Sequence, residues 1–79
     1  MTMTEEIMIG IIFEIKKFRN ELPRIYSLAE KEYMEANEDV AVNPHGHIIV
    51  SELSSYHAVR FYKLLHLYVD EELYTYDQE

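Results

Sequence analysis

The chain has 79 residues, 48% of them hydrophobic and 28% charged, and its net charge at pH 7 is -8. The absence of cysteine excludes disulfides and thiolate metal sites, and seven Lys and Arg residues among 15 Asp and Glu do not favour direct nucleic-acid binding. This composition predicts a single folded domain over residues 1–79, located in the cytoplasm. No run reaches the roughly 18 apolar residues of a membrane span, and we expect neither secretion nor a membrane anchor.

Two helices that meet at Pro23 are predicted for the first half of the chain. Apolar residues recur at helical spacing from Ile7 to Leu22, which predicts a first helix capped by Thr2 or Thr4. A buried strand is the less favoured alternative for the isoleucine-rich start. Pro23 should end this helix and begin a second one that ends near Asn37. The expected packed faces are Ile7, Ile11, Ile15, Phe18 and Leu22, then Ile25, Leu28, Ala29, Tyr33 and Ala36.

Two short β-prone runs surround the sequence Asn-Pro-His-Gly at residues 43–46. Asn in the first position, Pro in the second and Gly in the fourth are typical of a type I turn whose glycine has a positive φ. The segment 39–50 is therefore predicted to form a small β-hairpin. Because a two-stranded ribbon is marginally stable alone, one side of it should pack on the helices. That side is expected to consist of Val40, Val42, Ile48 and Val50.

The last helix is predicted to begin after Ser51 or Ser54 and to run to about Tyr74. Its apolar arc spans about 220 degrees, compared with about 100 degrees for an ordinary surface helix. In so short a chain, we expect another molecule to cover part of this arc. Residues 75–79 are predicted to form a frayed acidic tail.

The predicted architecture is mainly α with a small β-hairpin, in the order α-α-β-β-α. A helical hairpin precedes the ribbon, and a long C-terminal helix follows it. This order loosely resembles the winged-helix modules, which combine helices with a β-ribbon. The chain departs from them in its acidity and in lacking a basic recognition helix, so DNA binding is not predicted.

His45 and His47 form an H-x-H pair near the predicted turn. Two histidines with this spacing can bind zinc or copper together when the chain is extended. A third ligand would have to come from His57, Asp39 or Glu52. A polar turn without metal is the favoured interpretation.

His57 and His66 lie on the apolar arc of the last helix. A hydrogen-bonded core or interface histidine is favoured there, and a pH-dependent interface is the alternative. The sequence contains no nucleophile motif and no phosphate-binding loop. We therefore predict no enzymatic activity and no cofactor.

The narrower outer face of the last helix is the predicted interaction site. Its residues follow a spacing of four, three, four, three and four, which is typical of a seam between helices, and Tyr and Arg are enriched at protein interfaces. An ordinary amphipathic surface is an equally favoured interpretation. The residues are Tyr56, Arg60, Lys63, Leu67, Asp70 and Tyr74.

These features predict a non-catalytic protein–protein interaction module, homodimeric through its last helix, with a regulatory or structural role. The alternative is an acidic inhibitor of the phage or mobile-element type, which imitates nucleic acid and blocks a basic nucleic-acid-binding protein. Neither prediction involves direct contact with nucleic acid or membrane. The acidic surface would consist of Glu30, Glu35, Glu38, Asp39, Glu71 and Glu72.

Overall fold

The computed structural model describes residues 3–77, with side chains described for residues 5–71. Within this range the chain forms helices α1 (Met3–Glu21), α2 (Pro23–Ala36) and α3 (Ser55–Asp77), with a short 3-10 helix at Val50–Glu52. The mainly helical prediction is confirmed. Within residues 3–77, no helix combines the length and the hydropathy of a membrane-spanning segment.

Both chain ends carry predictions that fall partly outside this range. The side chains of Thr2 and Thr4, expected to cap α1, lie outside the described residues. The helix α3 continues to Asp77 and so passes the predicted end near Tyr74. Residues 78–79 of the predicted acidic tail lie outside the described residues.

The junction between α1 and α2 consists of Leu22 alone. Pro23 lies in the first turn of α2, where its missing amide hydrogen removes no helical hydrogen bond. The Leu22 amide donates to the Phe18 carbonyl (2.8 Å), and the Leu22 carbonyl accepts from the Tyr26 amide (2.9 Å). The chain therefore changes helix without leaving these backbone groups unpaired.

The predicted packed faces of α1 and α2 are correct at their centres and wrong at their edges. Ile15 is fully buried at the centre of the α1 face, whereas Ile7 and Leu22 at its two ends are 59% and 38% exposed. On α2, Leu28 is 43% exposed, and Tyr26 is buried. The predicted helix end near Asn37 is correct, and this residue has an extended backbone with a φ of -135°.

The predicted β-hairpin does not form strands within the described residues. A single antiparallel bridge there joins Val42 and Ile48. The turn itself is confirmed, because the Gly46 amide donates to the Asn43 carbonyl (2.9 Å) and Gly46 has a φ of 81°. Glycine adopts this left-handed conformation without the steric penalty that other residues meet.

Buried apolar side chains, and not strand pairing, pack this connecting segment against the helices. Val40, Ile48 and Val50 are buried as predicted, whereas Val42 is 46% exposed. Pairing stops after Ile49 because residues 50–52 turn into the 3-10 helix. The segment is therefore an irregular strap with three apolar side chains in the core.

The arc of α3 is covered from two sides, and both sides belong to this chain. In the described range, its members between His57 and Val69 are buried or half-buried, except for exposed His66. From α1, the Phe18 ring lies 6.4 Å from the half-buried Tyr62 ring, and from α2 the Tyr33 ring lies 5.3 Å from the Phe61 ring, both measured between ring centroids. The chain's own helices therefore cover most of the described part of this arc, and cover of the remainder by another molecule stays a prediction.

One hydrophobic core joins the three helices and the connecting segment. The largest fully buried side chains come from α1, from the segment and from α3, and they are Ile15, Ile48, Phe61 and Leu65. The Tyr26 ring meets the Phe61 ring nearly perpendicularly at 5.5 Å, an arrangement that aromatic pairs prefer. The Ser54 hydroxyl caps α3 by accepting from the His57 amide (3.2 Å), which decides between the two predicted caps.

Candidate functional site

The predicted interaction residues form one exposed face on α3. The side chains of Tyr56, Arg60, Lys63, Leu67 and Asp70 are all exposed, and that of Tyr74 lies outside the described residues. We call the five described residues the α3 face. Tyr56 is 59% and Leu67 is 53% exposed, so the face combines apolar area with two cations and one carboxylate.

Tyr56 and Arg60 form an ordered pair on this face. The Arg60 guanidinium lies 5.2 Å from the centroid of the Tyr56 ring, within the range of a cation–π interaction. The Tyr56 ring also meets the buried His57 ring edge to face at 5.3 Å. These contacts restrain the two side chains before a partner binds, which lowers the entropic cost of docking.

An open groove of about 320 Å³ lies on the surface between α2 and α3, next to the α3 face. Arg60 and Lys63 stand on its α3 side, and Glu32 stands on its α2 side. Its remaining lining residues are Tyr33, Ala36, Asn37 and Leu64. A groove with apolar side chains and opposite charges on its two walls suits a peptide segment better than a single small ion.

Through Tyr33, which lines the groove, and through Asp39, His57 connects α3 to α2 and to the connecting segment. Its Nδ1 shares a hydrogen bond of 2.8 Å with the Tyr33 hydroxyl, and its Nε2 lies 3.4 Å from Asp39 Oδ2. The prediction of a hydrogen-bonded core histidine is confirmed for His57, which is only 7% exposed, whereas His66 is exposed.

The same contacts favour a structural role for Tyr33. Burial raises the pKa of the Tyr33 hydroxyl, and nearby Tyr56 and Asp39 act in the same direction, against the opposing effect of Arg60. A tyrosine nucleophile is activated by a lowered pKa or by a neighbouring base. Tyr33 shows the opposite pKa shift, and its hydroxyl joins α2 to His57 of α3.

Glu30 does not belong to the predicted acidic surface, because it is only 5% exposed. Its Oε2 accepts from the Ile48 amide (3.0 Å), and its Oε1 lies 3.0 Å from His47 Nδ1. A buried carboxylate needs such partners to offset its lost hydration. Glu30 thus anchors the connecting segment to α2. Of the other predicted acidic residues, Glu35, Glu38, Asp39 and Glu71 are exposed, and the side chain of Glu72 lies outside the described range.

The two histidines of the H-x-H pair make different contacts and do not share a ligand site in the described residues. The backbone amides of His45 and His47 both donate to Asn43 Oδ1 (2.9 and 3.0 Å), which stabilises the turn. The His47 ring then turns to Glu30. In the part of the chain that the structure describes, no group of three or more His, Asp or Glu side chains is arranged to hold a metal ion.

A second exposed apolar surface, on α1, was missed by the sequence reasoning. Ile9 is 43% and Phe13 is 66% exposed, and their spacing of four places them on the same side of the helix. The sequence does contain a sign of this surface. Ile9 and Phe13 form a second apolar line on α1, apart from the one that contains Ile15, and Lys16 and Lys17 follow Ile15 in the sequence.

Comparison of the chain with protein-family models, with curated proteins and with solved structures gave no significant match. Within the described residues, the surfaces that can contact another molecule include the exposed faces of α3 and α1 and the groove beside α3.

Proposed function

We propose that this protein is a non-catalytic interaction module whose α3 face and adjoining groove dock a segment of a partner protein, in a regulatory or structural role. The observation that carries the proposal is the restrained, exposed pair of Tyr56 and Arg60 beside the groove. Tyr and Arg are the residue types that most often dominate binding energy at interfaces. The expected cytoplasmic location and self-association belong to the same proposal.

The chemistry of the α3 face defines the partner it fits. Arg60 and Lys63 are cations on a chain with a net charge of -8, so an acidic partner segment is repelled by most of the surface and attracted here. Leu67 supplies exposed apolar area on the next turn. The partner segment is therefore an amphipathic helix with acidic residues beside its apolar side.

Affinity capture with matched baits tests this docking. The wild-type chain, Arg60→Glu and the control Lys31→Glu, which reverses an exposed cation on α2, are incubated with native lysate, and bound proteins are identified by mass spectrometry. A partner of the α3 face binds wild type and the control but not Arg60→Glu. Calorimetry with the purified partner should show affinity reduced about 30-fold by Arg60→Glu. Proteins retained equally by all three baits, or by none, would refute the proposal.

An acidic inhibitor is the second candidate, favoured by the position of Tyr68. A hydrogen bond to Glu32 raises the pKa of the Tyr68 hydroxyl, and Glu71 acts in the same direction, so carboxylates from α2 and α3 share one surface. The burial of Glu30 removes one predicted contributor. This candidate predicts that affinity for a basic nucleic-acid-binding protein decreases steeply between about 50 mM and 300 mM salt. An unchanged affinity would count against it.

A further inference from the structure

The outer side of α1 has an apolar centre between opposite charges. Ile9 and Phe13 are exposed apolar residues, and exposed Glu6 and Lys17 lie beyond them toward the two ends of the helix. Spacings of three, four and four residues place these side chains along one line. We call Glu6, Ile9, Phe13 and Lys17 the α1 face. Fully buried Ile15 holds the opposite side of the helix in the core.

The α1 face carries a negative charge at one end and a positive charge at the other. Two copies of this face are therefore complementary when they pack antiparallel. Two antiparallel copies of α1, related by a two-fold axis that crosses the α1 face at the level of residue 11, bring Phe13 of each copy beside Ile9 of the other. At a rise of 1.5 Å per residue, Glu6 lies about 7.5 Å before the axis and Lys17 about 9 Å after it. Each carboxylate therefore comes level with a lysine of the other copy, whereas parallel packing would bring like charges together.

We propose that the α1 face is a homodimer interface and that its occupant is a second copy of this chain, packed antiparallel. Such an interface is isologous, because the same residues contribute from both copies. The inference rests on the self-association within the proposed function, and it assigns that self-association to α1 instead of α3. The α3 face then stays available for a different protein.

The size of the α1 face places the dimer in the weak class. Stable interfaces contribute about 20 to 30 residues from each partner, and a single helix face supplies fewer. The dimer should therefore be measured by sedimentation equilibrium from about 10 µM to about 1 mM, a range that covers weak association.

The first variant removes the aromatic centre of the α1 face. Phe13→Ala should weaken dimerisation about 100-fold, because each dimer loses two buried aromatic side chains. Ile7→Ala is the matched control, since Ile7 is 59% exposed on the same helix but lies about 120 degrees around it from Phe13. It should change the dissociation constant by less than about threefold. Alanine favours helix at both positions, and circular dichroism confirms that the variants are folded.

The second set of variants tests the antiparallel orientation. Glu6→Lys and Lys17→Glu each turn two attractions into repulsions, so each should weaken the dimer about tenfold at low salt. The double variant exchanges the charges and should restore the wild-type constant. A parallel dimer, or one formed through α3, has no reason to show this rescue.

The outcomes separate this inference from the proposed function. Loss of the dimer in Phe13→Ala together with rescue in the double variant supports the α1 interface. A wild-type chain that stays monomeric at about 1 mM overturns it, while docking of a partner on the α3 face is decided by the capture experiment. A dimer that survives Phe13→Ala but dissociates in Arg60→Glu also overturns it and returns self-association to α3.

Discussion

Replacement of Glu30 tests how the connecting segment is held on the helices. Its carboxylate has the Ile48 amide and His47 Nδ1 as partners, each at 3.0 Å. Glu30→Ala removes both and leaves the amide of Ile48, a residue only 1% exposed, without its acceptor. A hydrogen bond to a charged group contributes about 1.5 to 3 kcal/mol, and a buried group left unpaired costs about 1 to 3 kcal/mol.

The expected loss in the free energy of unfolding is about 3 kcal/mol. The lost hydrogen bond and the cost of the unpaired amide both concern Ile48, so these two energies do not add in full. The His47 side chain is 56% exposed, so the loss of its contact with Glu30 adds little. A loss of this size exceeds half of the roughly 5 kcal/mol that stabilises a small domain. Glu30→Gln keeps an oxygen for the Ile48 amide but loses the charge, and should cost about 1 to 2 kcal/mol.

Urea unfolding followed by circular dichroism measures these losses without screening the charge. With a slope of about 1 kcal/mol per molar urea, Glu30→Ala should lower the midpoint by about 3 M. Glu35→Ala removes an exposed carboxylate from the same helix and should stay within about 0.5 kcal/mol of wild type. Equal midpoints for Glu30→Ala and Glu35→Ala would refute the reasoning.

Two further predictions concern alkaline stability and the glycines. Burial and the nearby Glu30 carboxylate raise the pKa of Tyr26 from 10.0 to about 12. Stability should therefore be full below pH 10 and fall by up to about 3 kcal/mol as the pH approaches 12. Tyr26→Phe, which removes a buried hydroxyl without a hydrogen-bond partner, should abolish most of this loss in urea titrations across that range, and an undiminished loss would contradict the assignment. Gly46→Ala, at a φ of 81°, should destabilise by about 1 kcal/mol, whereas Gly10→Ala, with open space around it inside α1, should stabilise by about 0.5 to 1 kcal/mol. Melting shifts of the same sign would contradict this pair.

The helices and the turn were predictable because local chemistry determines them. Pro23 has to begin a helix or break one, and Gly46 supplies the positive φ that the turn requires. The two strands of the predicted β-hairpin are not confirmed, because β propensity depends on packing context. Val40 and Val50 instead gain burial separately against the helical core.

The residues of the candidate site were predictable only where the helical spacing of apolar residues showed which side chains are exposed. The α3 face has this property, since Tyr56 and Leu67 lie opposite the buried Phe61 and Leu65. Glu30 was placed wrongly because carboxylates are usually exposed. Its spacing of four from Tyr26 and three from Tyr33 would have placed it near the buried side of α2.

The α1 face escaped prediction for a different reason. The helix carries apolar residues on several sides, and the sequence alone does not show which side the other helices cover. Packing selects the side of Ile15 and leaves Phe13 outside.

Intermolecular contacts in solution test most directly the central structural claim that two copies of this chain associate through the α1 face. An equimolar mixture of isotope-labelled and unlabelled chains at about 1 mM gives an isotope-filtered NOE spectrum that contains only contacts between copies. We expect such contacts between the Ile9 methyl groups and the Phe13 ring. A spectrum with no contacts between copies, or with contacts only at Tyr56 and Leu67, would contradict the α1 dimer.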